Sequence, residues 1–455
     1  MAQMLIFDRR SSSLTPVAFT ESQHAMTAGG LVVGGPEAPP RLSGGRRAPL
    51  RIVCPTYWYP QHATDTQATY VHDINRHLVR RGHTVTVVTP GGPSLPRYDT
   101  FDGVQIVRFP LELPPDLTYG RVAQTHVNWL GKLARLAIMA RYLEAQYRAI
   151  MTEAREKGAD VIHAHWAIPT GPAAVIAARE LRVPSVITMH GGDVYVNPEQ
   201  GYDFPTRWYV RPALLWTLRH AGALTAITED CRQHALRAGA PADHIHLVFN
   251  GTDLRRFSPG ENGNQNYQRF GPHMIFACRQ LFPRKGIRFL LEAGAQLKPR
   301  FPDLKIVLAG DGFERPALAR MAEDLGIGED VTFLGWVPNA ELPPYYRAAA
   351  VSVIPSLEEG FGIPAAEAMG CEVAVVASDA GGLPEVVENG VTGLVVPRGD
   401  SAALAGAIGS LLADPERRDQ MGQAGRARAL RLFDWDRSAE QFEELYREVG
   451  SRTAQ

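Results

Sequence analysis

From Leu50 onward, short apolar runs alternate with helix-forming stretches, and a chain written that way builds parallel sheets flanked by helices. The first unit shows the logic. LRIVCPT is a strand-like run, residues 65–81 (DTQATYVHDINRHLVRR) carry the spacing of an amphipathic helix, Gly82 stands where a left-handed cap is wanted, and HTVTVVTP is a second strand. The alternation continues through VQIVRF, DVIHAH, PSVITMH, ALTAIT and HIHLVFN, with the longest helix predicted at about 121–157. At 258–272 the text turns polar and turn-rich (SPGENGNQNYQRFGP). It then restarts with HMIFACR, LKIVLAG, DVTFLG, VSVIPS, EVAVVAS and GLVVP. The expected architecture is α/β, with two Rossmann-like parallel-sheet domains facing a cleft at residues 48–260 and 273–430, joined by a linker at 261–272. A further amphipathic helix is expected within 431–455, free to return to the first domain.

Composition removes several classes of function. The 455 residues leave room for two or three domains. Lys and Arg number 47 against 48 Asp and Glu, so no global charge steers the protein to nucleic acid. Cys54, Cys231, Cys278 and Cys371 share no CxxC, which argues against a disulfide scaffold or a cysteine zinc site and fits a reducing compartment. No apolar run reaches the ~18 residues of a membrane span, and no basic-flanked apolar core marks an export signal. A cytoplasmic location is expected. Residues 1–47 are rich in Gly, Pro and Ser, keep no period, and are predicted to be a disordered extension that folding and activity do not need.

Ligands of open α/β sheets sit beyond the carboxyl ends of the strands, so polar residues just after strands are the place to search. VSVIPS runs into LEEGFGIPAAEAMG, where Pro364 suits the first turn of a helix. Gly360 and Gly362 precede that helix and let a phosphate approach its N-terminus. Glu359 and Glu367 stand eight residues apart around the same loop. As carboxylates beside a phosphate seat they suit sugar or ribose hydroxyls; the plainer reading is a dipole-complementing Glu367 and a solvated Glu359. Gly360-x-Gly362-x-x-Ala365 with Asp379 also resembles a dinucleotide fingerprint, but it falls in the fourth βα unit and leaves both glutamates unexplained. Arg279 and Lys285, after the first strand of this domain, are placed to hold a diphosphate; an ordinary solvated basic loop is the alternative.

Together these residues resemble the retaining GT-B glycosyltransferases of family 4. The matching text is Arg279 with Lys285-Gly286, GDG at 310–312, FLGWVPNAELPPYY at 333–346, PSLEEGFGIPAAEAMG at 355–370 and SDAGGLPEVVENGVTGLVVP at 378–397. In the first half it is RGHTVTVVTP at 81–90, HAHWA at 163–167, TMHGGD at 188–193 and FNGTDLRRF at 249–257. The resemblance implies a nucleotide-sugar donor bound by the second domain and an acceptor bound by the first. It implies that Arg279 and Lys285 hold the donor diphosphate, that Glu367 binds the nucleotide ribose and that Glu359 contacts the transferred sugar. It further implies that Gly360, Phe361, Gly362 and Gly335 line the donor and that His190 sits by the reacting sugar. No cofactor and no metal are expected: no DxD lies at a strand end, and two cations can take a metal's place at the diphosphate. Four departures from the family text stand out. PTYWYPQHATDTQATY lacks a glycine pair, Cys278 precedes the arginine, Glu372 and Ala374 replace glycine and proline, and Ala350 replaces an acidic residue.

The acceptor is expected to be a sugar, a lipid-linked group or another small molecule. Two basic amphipathic stretches, 119–150 and 206–220, allow a peripheral membrane contact, although solvated edges of core helices explain them as well. Asp434-Trp435-Asp436 spells a metal-type DxD but reads as a helix start, and His163 with His165 makes a weak metal pair. A nucleotide-sugar epimerase on the same fold and an NAD-type oxidoreductase are the alternative enzymes; a two-lobed periplasmic-type binding protein is the alternative outside catalysis. For retention by double displacement Asp193, after HGG, is the nearest candidate nucleophile, and a same-face route is favoured over it.

Overall fold

The computed structural model describes residues 48–453, apart from 63, 64, 66, 67, 93, 112–128, 197–203 and 261–263. The proposed extension at 1–47 and the start of the predicted 121–157 helix lie outside the described residues.

The first sheet is built from β1 (Arg51–Pro55), β2 (Thr84–Pro90), β3 (Tyr98–Phe101), β4 (Val104–Phe109), β5 (Val161–His165), β6 (Ser185–Met189), β7 (Ala223–Ala226) and β8 (Ile245–Leu247). Its helices are α1 (Thr69–Arg80), α2 (Trp129–Lys157), α3 (Gly171–Leu181), α4 (Arg211–His220) and α5 (Glu229–Ala238). The second sheet comprises β9 (Met274–Cys278), β10 (Lys305–Ala309), β11 (Val331–Gly335), β12 (Val351–Ile354), β13 (Val375–Ser378) and β14 (Gly393–Val396). Around it lie α6 (Asn264–Phe270), α7 (Ile287–Leu297), α8 (Arg315–Asp324), α9 (Pro343–Ala348), α10 (Ile363–Gly370), α11 (Leu383–Val386), α12 (Ser401–Ala413), α13 (Pro415–Leu432) and α14 (Trp435–Thr453).

Strand order is β3-β4-β2-β1-β5-β6-β7-β8 in one sheet and β11-β10-β9-β12-β13-β14 in the other. Strands covered by helices on both faces must be apolar throughout, and the five residues of β5 and of β6 are all buried. The order reverses between β1 and β5 and again between β9 and β12, which gives each sheet one crevice where a ligand can enter.

Three elements differ from the sequence reading. β3 pairs antiparallel with β4 through Asp102 and Gly103, both at positive φ (48° and 79°), the turn a two-residue hairpin needs. Within the stretch read as a linker, residues 264–270 form α6. α1 starts at Thr69 rather than 65, because Ala68 sits at φ 51°, outside the helical region; Gly82, at φ 98°, follows its end.

α14 leaves the second half and packs on the first. The Tyr446 hydroxyl meets His163 Nδ1 at 2.7 Å, the Ser438 hydroxyl donates to the Phe249 carbonyl at 2.9 Å, and Arg81 pairs with Glu443 at 2.9 Å. Asp434 accepts the Asp436 N–H at 2.9 Å at the start of this helix, and Asp436 then pairs with His77 at 2.6 Å. The first core runs without a break from the β1–β6 strands through Phe361, Ala365, Phe433 and Trp435; a second core fills the far face of the second sheet around Leu290, Leu291 and Ile408.

Candidate active site

The β9/β12 crevice opens into a cavity of about 360 Å³, lined by Tyr70 and His190 from the first domain and by Arg279, Lys285, Trp336, Glu359 and Glu367 from the second. Arg279 directly follows β9, and Glu359 lies in the loop between β12 and α10, so the β9/β12 crevice brings them together. Lys285 ends a short 3₁₀ turn that closes on Gly286, at φ 67°. A Cβ on Gly286 would lie 2.0 Å from the Pro355 carbonyl oxygen, so only glycine lets the lysine turn press against the end of β12.

The three charged groups form one cluster. Arg279 Nη2 donates to Glu359 and to the Ser356 hydroxyl, and Lys285 Nζ donates to the same Glu359 oxygen at 2.9 Å. Burial alone would raise the Glu359 pKa, but the charges of Arg279 and Lys285 outweigh it and hold the carboxyl far below the usual range. Burial pushes the Lys285 ammonium down to about 8 against the opposing pull of Glu359. Arg279 is 6% exposed, and its Nε is buried with no hydrogen-bond partner among the described residues. A buried guanidinium and a half-buried ammonium that share one carboxylate, with a guanidinium N–H to spare, make a seat for a more highly charged anion.

Glu367 lies in α10, 5% exposed, and accepts the Tyr346 hydroxyl at 2.8 Å. Burial raises it to about 7 despite that bond. Gly362 caps α10 at φ 98°, and a Cβ there would meet the Leu383 side chain at 2.5 Å. The Thr228 hydroxyl donates to the Gly360 carbonyl at 3.2 Å, tying this loop to the first domain, while the Phe361 ring packs on Phe433 at 5.4 Å. Gly335 does not line the cavity; its carbonyl accepts the Gly310 N–H at 2.7 Å, and its neighbours Trp336 and Val337 are the lining residues.

His190 directly follows β6 and lines the cavity. Its Nε2 meets His165 Nδ1 at 2.9 Å, its Nδ1 has no partner among the described residues, and burial pushes its pKa down to about 3, so the ring is neutral. Asp193 is fully buried, accepts the Ala167 and His190 N–H groups at 2.7 and 3.1 Å, and is raised to about 6 by burial. Both its oxygens are therefore spent bracing the β5 and β6 loops, and it does not line the cavity. Asp379, the ribose candidate of the dinucleotide reading, is paired with Arg398 at 3.0 Å and is also absent from the lining. Among the described residues no group of three or more His, Cys, Asp and Glu side chains is placed to hold a metal ion, His163 and His165 included. No described helix is long and apolar enough to cross a membrane.

Sequence reasoning missed Tyr346, which holds Glu367, and the rings of Tyr57 and Trp166 near His190. The last two had a readable signal: each stands just beyond β1 or β5, the strands that flank the first crevice.

Residues 65–251 match the family model of the glycosyl transferase 4-like domain, and residues 264–428 match that of glycosyl transferases group 1. The D-inositol 3-phosphate glycosyltransferase of Thermobifida fusca is 30% identical over 399 residues, covering 84% of this chain and 88% of that protein. The GDP-mannose-dependent alpha-(1-6)-phosphatidylinositol monomannoside mannosyltransferase of Mycolicibacterium smegmatis is 35% identical over 243 residues, 50% of this chain and 64% of that protein. Among solved structures, a sucrose-phosphate synthase from Thermosynechococcus elongatus aligns with a TM-score of 0.71 at 25% identity, covering 88% of this chain and 100% of that one. With family models on both halves and a relative aligned along most of its length, this chain belongs to the glycosyl transferases group 1 and has their GT-B fold.

Proposed function

We propose that this chain transfers a hexose from a nucleoside-diphosphate sugar to an acceptor hydroxyl, with retention of the anomeric configuration and without a divalent metal. The observation that carries the reading is the pair of cations, buried Arg279 and half-buried Lys285, converging on Glu359 at a topological switch point. In the free protein the Glu359 carboxylate stands in for the donor diphosphate. When the donor enters, the cations take the diphosphate, and Glu359 is released toward the sugar hydroxyls. Glu367, steadied by Tyr346, accepts the ribose hydroxyls.

As the bond from the anomeric carbon to phosphate oxygen breaks, its electron pair goes to the leaving diphosphate, where Arg279, Lys285 and the first amides of α10 stabilise the charge. The acceptor oxygen bonds to the same face of the sugar, and its proton passes to the departing phosphate oxygen. A double displacement would need a carboxylate beneath the sugar, and the commitment of both Asp193 oxygens to backbone N–H groups supports the same-face route. The neutral His190 ring donates or accepts a hydrogen bond at the sugar without adding charge. The four cysteines are all free, which supports a reducing, cytoplasmic setting, and any membrane contact in this reading is peripheral.

The relatives act on different acceptors by their names, so the base and sugar of the donor are to be fixed by a screen of UDP-, GDP- and ADP-hexoses. With the donor in hand, Arg279→Ala should lower turnover by about 10²-fold or more. Proton NMR of the first product, recorded with EDTA present, reads the rest. An inverted anomer sinks the mechanism, and activity lost to EDTA and restored by Mg²⁺ sinks the metal-free claim.

A further inference from the structure

Beside the main cavity lies a recess of about 80 Å³ that shares Tyr70, His190 and Gly360 with it. Its other described lining residues are Tyr57, Trp58, Trp166, Tyr195 and Gly192. The rings meet around the imidazole. Trp166 and Tyr70 each lie 4.8 Å from the His190 ring at 50°, and Tyr57 packs edge-on to Trp166 at 4.7 Å.

Trp166 is held there against its own backbone preference. It sits at φ 69°, a left-handed conformation that costs a bulky side chain about 1–3 kcal/mol and survives only where the surroundings fix it. They do: its N–H donates to the Thr188 carbonyl at 2.8 Å, and the next N–H, of Ala167, is held by buried Asp193 at 2.7 Å. Residues fixed in such conformations cluster at ligand sites, and Trp166 is one of the residues lining this recess.

Among the described residues, no Lys, Arg, Asp or Glu lines the recess. Its imidazole is uncharged, and the cations of the main cavity are committed to Glu359 and, in the transferase reading, to the donor diphosphate. A phosphate or carboxylate entering this recess would lose its water and meet no counter-charge among the described residues. A neutral sugar ring has the matching chemistry, with an apolar C–H face for the rings and a hydroxyl for the imidazole.

Resting on the transferase reading above, we infer that this recess is the acceptor subsite and that it takes the neutral sugar ring of a glycoside rather than a phosphorylated sugar or polyol. The hydroxyl to be glycosylated points past His190 toward the donor, and the C–H face lies on the half-buried rings of Trp58 and Tyr70, which pack against buried Tyr57 and Trp166. The ring can come from a free glycoside or from the head of a glycolipid.

Release of nucleoside diphosphate from the screened donor tests this, with methyl α-mannopyranoside, methyl α-glucopyranoside and octyl α-mannopyranoside set against mannose 6-phosphate and inositol 1-phosphate. A neutral glycoside should raise release about tenfold over the rate with water alone, and the phosphorylated compounds should not. The methyl and octyl arms separate a free glycoside from a lipid-borne one. In Trp58→Ala, and in the milder Trp166→Phe, the KM for the glycoside should rise about fivefold or more, while donor Kd by calorimetry moves less than about twofold. Preference for a phosphorylated acceptor overturns the inference, as does an unchanged acceptor KM in both variants. So does the absence, at millimolar glycoside, of both accelerated release and quenching of tryptophan fluorescence. A protein that binds none of the nucleotide sugars takes down the transferase reading first, and the inference with it.

Discussion

Lys285 holds an ammonium where burial works against its charge, and that sets a pH limit on the donor seat. Its pKa is lowered to about 8, so in the free protein the cation is lost as pH rises through that value. A diphosphate needs the cation, so donor Kd should climb by about tenfold per pH unit above 8. Lys285→Arg should remove this alkaline limb, because guanidinium stays charged. Calorimetry between about pH 7 and about pH 9.5 checks it, and a flat wild-type profile there means that Lys285 does not hold the diphosphate. Individual residues were legible in the sequence, but their pairing was not. Glu359 reads as a sugar contact, yet the structure joins it to Arg279 and Lys285, 80 and 74 residues earlier in the chain. Spacing along a chain does not encode which groups a switch point brings together. Tyr346 stayed hidden for the same reason, 21 residues from the Glu367 it holds.

Among elements, the start of α5 is capped twice from different parts of the chain. Thr228 accepts the Cys231 N–H at 3.1 Å, as a local N-cap does. The Glu385 carboxylate, from α11 in the second domain, accepts the Glu229 and Asp230 N–H groups at 2.7 and 2.8 Å. A carboxylate across the domain junction thus satisfies donors that a helix start leaves open, and it meets the positive end of the helix dipole. Glu385→Ala should cost about 1–2 kcal/mol, read in a thermal melt as a Tm lower by roughly 2–4 °C. An unchanged Tm means that this cap does not form in solution. Strands between helices were readable because burial on both faces makes them apolar throughout. β3 was not: its residues alternate exposed and half-buried, and the only plain mark of its hairpin with β4 is the Asp102-Gly103 turn. α6 was read as linker because its residues, NQNYQRF, are mostly polar, and among its described side chains Phe270 is the buried apolar one.

In the molecule as a whole, the two-sheet plan was legible from alternation alone, whereas the path of α14 could be known only from what it touches. Phe442, 1% exposed, lies 4.8 Å from the His163 ring of β5. Phe442→Ala should cost about 3–5 kcal/mol, and the loss should fall on the first domain although the residue follows the second. Hydrogen exchange should quicken at residues 69–80 and 161–165 and stay slow in β9 and β12; faster exchange confined to the second sheet would contradict this placement. The same helix has a consequence for the order in which the protein is made. Tyr446 follows its partner His163 by 283 residues. At roughly 5–20 residues per second a ribosome needs on the order of 15–55 s to cover that distance. Throughout that interval the nascent first half carries an apolar groove over β5 and α1 with its natural cover not yet synthesised.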